Sequence, residues 1–167
     1  YRNKRIFIIA NAENKFVVLE QLVPLINKKT ILFTTTQKRA DAIAKIFGCK
    51  SYHTKVRNAD KILQDYLDNI TTLISSVNKL IAGLDDECSE MIIRDGFMST
   101  ESSSLQSTGR LLRIDKNNPK KSPTIINLVC SPFGFRGVEY VPSDNIWIKI
   151  GFRNQKIETI DIKELTL

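Results

Sequence analysis

The chain has 167 residues, enough for one domain with a sizeable core, and its 42% hydrophobic and 26% charged residues are an ordinary globular balance. Its 25 Lys and Arg against 18 Asp and Glu give a formal +7, which suits an anionic partner, nucleic acid or nucleotide first, although plain solubility uses the same charge. Three scattered cysteines and the single histidine, His53, argue against a zinc site, a disulfide framework or a Ser-His-Asp hydrolase, and no apolar run is long enough to span a membrane.

The expectation is therefore a cytoplasmic protein with reduced thiols and no membrane partner. No signal peptide opens the chain, and Tyr1 rather than Met stands first, as in a piece of a longer protein.

In chain order, Arg5–Ala10 reads as a short strand. Residues 14–28 present a broad apolar helical face, with Pro24 predicting a kink or an early end. Thr30–Thr35 reads as a buried strand. Gln37–Phe47 reads as a helix with Ala40, Ile43, Ala44 and Phe47 inward, and Gly48 is placed to end it. A weak strand over 50–54 and a helix over 58–67 follow. Thr71–Ser76 is the next strand, then a loop to Gly83, then a short strand at 89–94. Ser104–Arg113 reads as a helix with serines at its N-cap. Lys116–Lys121 is a polar loop, and Thr124–Cys130 is again a buried strand.

Strand and helix taking turns imply an α/β domain with a mostly parallel sheet and right-handed crossovers. The end differs: residues 145–162 alternate apolar and polar, with a turn near 153–155, and predict a hairpin. The expected organisation is one α/β unit over 1–130 and an extension packed on it over 131–167.

In an open parallel sheet, ligands sit at the carboxyl ends of strands. There the loop after the Thr30 strand presents Thr34, Thr35 and Thr36. The loop after the Thr71 strand presents Ser75, Ser76, Asn78, Lys79, Gly83 and Asp85. Small hydroxyls near positive charge suit sugar-phosphate contacts, and Asp85 could bond a ribose hydroxyl; the same residues also build ordinary turns. Arg110 and Arg113, three apart, share one face of a helix, and each planar guanidinium matches phosphate oxygens.

The ordered series Ile31–Ala40, His53, Ser75–Asp85 and Gln106–Arg113 resembles motifs IV, V and VI of the second RecA-like domain of superfamily 2 helicases. The resemblance covers roughly residues 14–130 and looks most like the DNA-repair, restriction-type and phage branch. It implies a three-layer RecA-like fold and an ATP-dependent helicase or translocase. Arg110 and Arg113 would be arginine fingers toward ATP, with Gln106 coupling cleft to interface. Gly83 and Asp85 would touch nucleotide ribose, and Thr34, Thr35, Thr36, Ser75, Ser76 and Lys79 would grip one strand, of DNA first and RNA second. The implied partner is an N-terminal RecA-like domain holding ATP and Mg²⁺.

Two departures stand out. Ser107 replaces the first arginine of the last motif, and Thr54 replaces the Gly of a His-Gly turn. No Gly-x-x-x-x-Gly-Lys-Ser/Thr occurs, so the chain alone is expected not to hydrolyse ATP and to bind no cofactor by itself. A non-catalytic nucleic-acid-binding module of the same fold is the alternative.

Overall fold

The computed structural model describes residues 8, 11–77, 89–95, 121 and 124–128. Among the described residues, five strands form one parallel sheet: β1 Thr30–Thr34, β2 Lys50–Tyr52, β3 Leu73–Val77, β4 Met91–Arg94 and β5 Thr124–Asn127, in the order β2-β3-β1-β4-β5. The helices whose full bounds fall among the described residues are α1 Asn14–Leu22, α2 Gln37–Phe47 and α3 Ala59–Leu67. No described helix is long and apolar enough to cross a membrane.

β1 lies at the centre because it can be buried on both faces, and all five of its residues are. Its register aligns Phe33 with Ser76 of β3 and with Arg94 of β4. Alternation along the strands then sorts the core into two layers. Leu32, Met91 and Ile93 pack with Leu19 and Leu22 of α1 and Ile43 of α2. Ile31, Phe33, Ile74 and Ile92 pack on the other side with Tyr66 of α3. Each such side chain stabilises the fold by about 1.5–3 kcal/mol on burial. The handedness of crossovers explains the sides. The chain moves from β1 across β3 to β2 through α2, then back to β3 through α3, and opposite directions of travel put right-handed helices on opposite faces.

Local signals set the boundaries. Thr36 is extended and its Oγ1 accepts a hydrogen bond from the Arg39 amide at 3.2 Å, capping α2. Gly48 ends that helix in the left-handed region, φ 67°. Pro24 ends α1 in a single 3₁₀ turn, Val23–Leu25, as a residue without an N–H should. A Cβ at Gly48 would meet nothing within 4 Å, so Gly48→Ala tests the backbone alone. It is expected to cost about 1 kcal/mol in chemical denaturation, and Gly48→Asn less, since Asn tolerates this conformation.

One expectation is corrected. Ile8, read as part of a strand, is helical and 60% exposed. Short apolar runs fit either element, and periodicity over six residues cannot separate them. The expected helix at 104–113, the loop at 116–120 and the hairpin at 145–162 lie outside the described residues, as does the whole extension 131–167.

Cys49 is a free thiol, half-buried, and burial pushes its pKa up, against a smaller opposing effect of the Ser75 hydrogen bonds. Cys88 and Cys130 lie outside the described residues.

Candidate functional site

β1 sends the chain to one side of the sheet, toward β2, and its neighbour β3 sends it to the other, toward β4. Where adjacent connections diverge, the strand ends open a crevice for ligands. Thr34–Thr36 and Ser75–Val77 stand at that place. Residues 78–88 and 96–120, with Lys79, Gly83, Asp85, Gln106, Arg110 and Arg113, lie outside the described residues.

The hydroxyls at the strand ends do different things. Thr34 is fully buried, and its Oγ1 donates to Thr36 O at 3.0 Å, with Ser76 O at 3.3 Å as a second acceptor. Ser75 is fully buried and donates to Ala40 O at 2.8 Å, pinning α2 to the sheet. Both therefore spend their only hydroxyl proton inside the fold. Thr36 spends its acceptor on the α2 cap. Thr35 Oγ1 and Ser76 Oγ are buried without a hydrogen-bond partner among the described residues. An orphaned buried hydroxyl costs about 1–3 kcal/mol, so two at one strand-end crevice call for an explanation.

Charge gathers at the same edge. The turn after β2 carries exposed Thr54, Lys55 and Arg57, and Lys38 is exposed in the first turn of α2. Gln37 Nε2 donates to Thr54 Oγ1 at 3.1 Å, so the two loops touch. The sequence analysis did not single out Lys38, Lys55 or Arg57 at this edge. A basic residue just past a strand is the signal that could have found them.

Arg94, at the end of β4, is 1% exposed, and its Nη1 donates to Asn127 Oδ1 at 3.2 Å. Burial lowers its guanidinium to about 10, so it stays charged at neutral pH. Beside it Asp95 is fully buried and paired with Arg39.

His53 serves the fold. It is 4% exposed, its Nδ1 accepts from the Lys55 amide at 3.3 Å, and its Nε2 faces Asp41 Oδ1 at 2.9 Å. The Lys55 bond fixes the proton on Nε2, which donates to Asp41. The Ser51 hydroxyl, first, and His53, second, hold the Asp41 carboxyl below its ordinary 3.8. A carboxylate lowered in the folded state stabilises the fold above its ordinary value, and that contribution is lost as pH falls through the lowered one. Acid is therefore expected to weaken the chain below about pH 4, and Asp41→Asn to flatten that limb of a stability–pH curve. The effect is small, since the Asp41 side chain is 57% exposed.

Among the described residues, no group of three His, Cys, Asp or Glu could hold a metal ion.

No family model and no curated protein sequence matches the chain. Solved structures do. The C-terminal domain of the DEAD-box protein Dbp5 is 18% identical with a TM-score of 0.60, over 74% of each chain. S. cerevisiae Dbp5 bound to RNA and ADP BeF3 is 18% identical with a TM-score of 0.58, over 70% of this chain and 32% of that one. The C-terminal part of the Fun30 ATPase domain is 16% identical with a TM-score of 0.58, over 74% of this chain and 43% of that one. The chain thus spans about three quarters of the isolated Dbp5 domain and a third of the longer Dbp5 chain. At these identities the likeness establishes the fold, which is the RecA-like α/β fold of these C-terminal domains.

Proposed function

We propose that this chain is the second motor domain of an ATP-dependent nucleic-acid helicase or translocase, and that its strand-end loops grip the phosphates of one strand. The observation behind this is the pair of orphaned hydroxyls, Thr35 Oγ1 and Ser76 Oγ, at the crevice between β1 and β3. Both atoms are closed off from solvent, so the loops over them would have to shift to admit a phosphate, whose oxygens would then accept from each hydroxyl. Exposed Lys38, Lys55 and Arg57 on the adjoining loops supply attraction at longer range. Thr34 and Ser75, also expected to grip the strand, instead build the scaffold for Thr35, Thr36 and Ser76. Lys79 completes the proposed contacts.

The nucleotide side rests on the motif resemblance. Arg110 and Arg113 would stabilise charge on a transferring phosphoryl group held by a partner RecA-like domain, Gln106 would link that cleft to the domain interface, and Gly83 and Asp85 would meet the ribose. Mg²⁺ would neutralise phosphate charge on that partner. This chain lacks the loop that would place the metal or cradle the β- and γ-phosphates, so neither fits here without the partner.

The expectation leaned to DNA, whereas the Dbp5 structure with a bound strand holds RNA. Both therefore enter the test. A fluorescent single strand of about 12 nucleotides, as RNA and as DNA, is titrated with the chain across salt concentrations. Binding is expected to weaken with salt, with a slope of about −0.7 per phosphate contacted. No binding of either strand at low salt would sink the grip. The second reading, a non-catalytic module, is favoured by Ser107 in the last motif. It forecasts strand binding with no ATP turnover in the longer protein.

A further inference from the structure

The proposed chemistry makes no use of the ion pair between Arg39 and Asp95. Both residues are buried, at 5% and 0% exposure. The guanidinium engages both carboxylate oxygens, Nε on Oδ2 and Nη2 on Oδ1 at 2.8 Å. Nη2 also reaches Ala12 O at 3.5 Å, and the Phe16 ring lies 4.4 Å from the guanidinium carbon. Lys15 Nζ donates to the Asp95 carbonyl at 3.1 Å. Three parts of the chain therefore meet at Asp95: the start of α1, the first turn of α2, and the residue that follows β4.

Arg39 is tied to the Thr34–Thr36 loop through its backbone. Its amide donates to Thr36 Oγ1, and the next amide, Ala40, donates to Thr36 O at 3.0 Å. Thr36 O also accepts from Thr34 Oγ1. Asp95 is tied to β1 as well, its amide donating to Phe33 O at 2.9 Å. The side-chain pair thus closes a ring that runs from Phe33 through the loop to Arg39, across to Asp95 and back to Phe33.

A buried ion pair is a weak source of net stability, because desolvating two charges offsets most of their attraction. An apolar pair of similar volume often stabilises as well. What a bidentate pair adds is fixed orientation, since a planar fork on a carboxylate has one good geometry. We propose that Arg39 and Asp95 are positioning residues that hold the Thr34–Thr36 loop against the end of β4 in the shape that receives strand phosphates. The ligand half rests on the function proposed above; the positioning half rests on geometry alone.

Two variants test it. Arg39→Lys keeps a cation but loses the fork, and the double variant Arg39→Met with Asp95→Leu exchanges the pair for apolar side chains. Each is followed by thermal melting, by hydrogen exchange at the amides of residues 35–40, and by binding of the same RNA and DNA strands. Arg39→Lys is expected to speed exchange at these amides about tenfold or more and to weaken strand binding about tenfold, with a shallower salt slope. The double variant is expected to melt near the wild-type temperature and still to bind about tenfold more weakly. Unchanged exchange in a folded variant overturns the positioning role. Faster exchange with unchanged binding overturns its link to the strand. If the wild-type chain binds no strand, the proposed function fails, and exchange alone decides the positioning half. If the double variant does not fold, Arg39→Lys decides.

Discussion

Asp95→Ala is expected to destabilise the chain by about 3–5 kcal/mol, the usual cost of leaving a buried charge without its partner. Asp95 is fully buried and Arg39 is 5% exposed, so without the carboxylate the guanidinium either stays buried uncompensated or has to turn out to water. The packing of Arg39 on Phe16 makes that turn costlier still. A loss of this size is a large share of the 5–15 kcal/mol typical of a domain. Urea denaturation of Asp95→Ala, Arg39→Ala and the double variant would measure it. The double variant is expected to be more stable than the sum of the two single losses forecasts, because removing both partners strands no charge. Strict additivity, or a loss below about 1 kcal/mol for Asp95→Ala, would show that the pair is solvated rather than buried.

The other large effect concerns turnover. In a protein that joins this chain to a phosphate-loop domain, Arg110→Ala or Arg113→Ala is expected to lower ATP hydrolysis about 10³-fold. The reason is differential. A guanidinium that meets the phosphoryl group as negative charge spreads over its equatorial oxygens stabilises the transition state more than bound ATP. Strand affinity without nucleotide is expected to be unchanged, since both arginines are assigned to the nucleotide cleft. Single-turnover hydrolysis with and without RNA or DNA makes the check. Wild-type rates in both variants would remove the finger assignment, whereas no turnover in the unsubstituted protein itself would favour the non-catalytic reading that Ser107 suggests.

The two effects are separable because they act at different links. Asp95 acts on folding free energy and is read by denaturant. Arg110 and Arg113 act on a barrier and are read by rate. A variant of either arginine that also melted early would be reporting on packing instead.

Sequence alone determined what depends on neighbours a few residues apart. Gln37–Phe47 as a helix and Gly48 as its end are legible because helical periodicity and left-handed backbone are local, whereas Thr36, read as a phosphate contact, caps the helix. Pro24 closing α1 is legible for the same reason. The apolar run at Thr30 reads as a buried parallel strand because both of its faces are covered, whereas Thr124–Asn127, read the same way, is a strand only half-buried at the end of the described sheet. Alternating strands and helices then carry the fold class, and the order of the hydroxyl loops carries the place of the proposed site.

Only the tertiary structure decided which strands are neighbours and which way each hydroxyl turns. The order β2-β3-β1-β4-β5 puts β1 beside β3 and β4, strands that follow it by some 40 to 60 residues, and nothing local encodes such pairing. Register then sets parity. It turns Ser75 toward Ala40 O while Ser76, one residue on, faces the opposite layer, so two residues alike in sequence become a scaffold bond and an orphaned hydroxyl. The Arg39–Asp95 pair spans 56 residues and exists because β4 lies next to β1. Side-chain chemistry is written in the sequence; which groups meet is fixed by strand pairing, and that follows from burying both faces of one sheet.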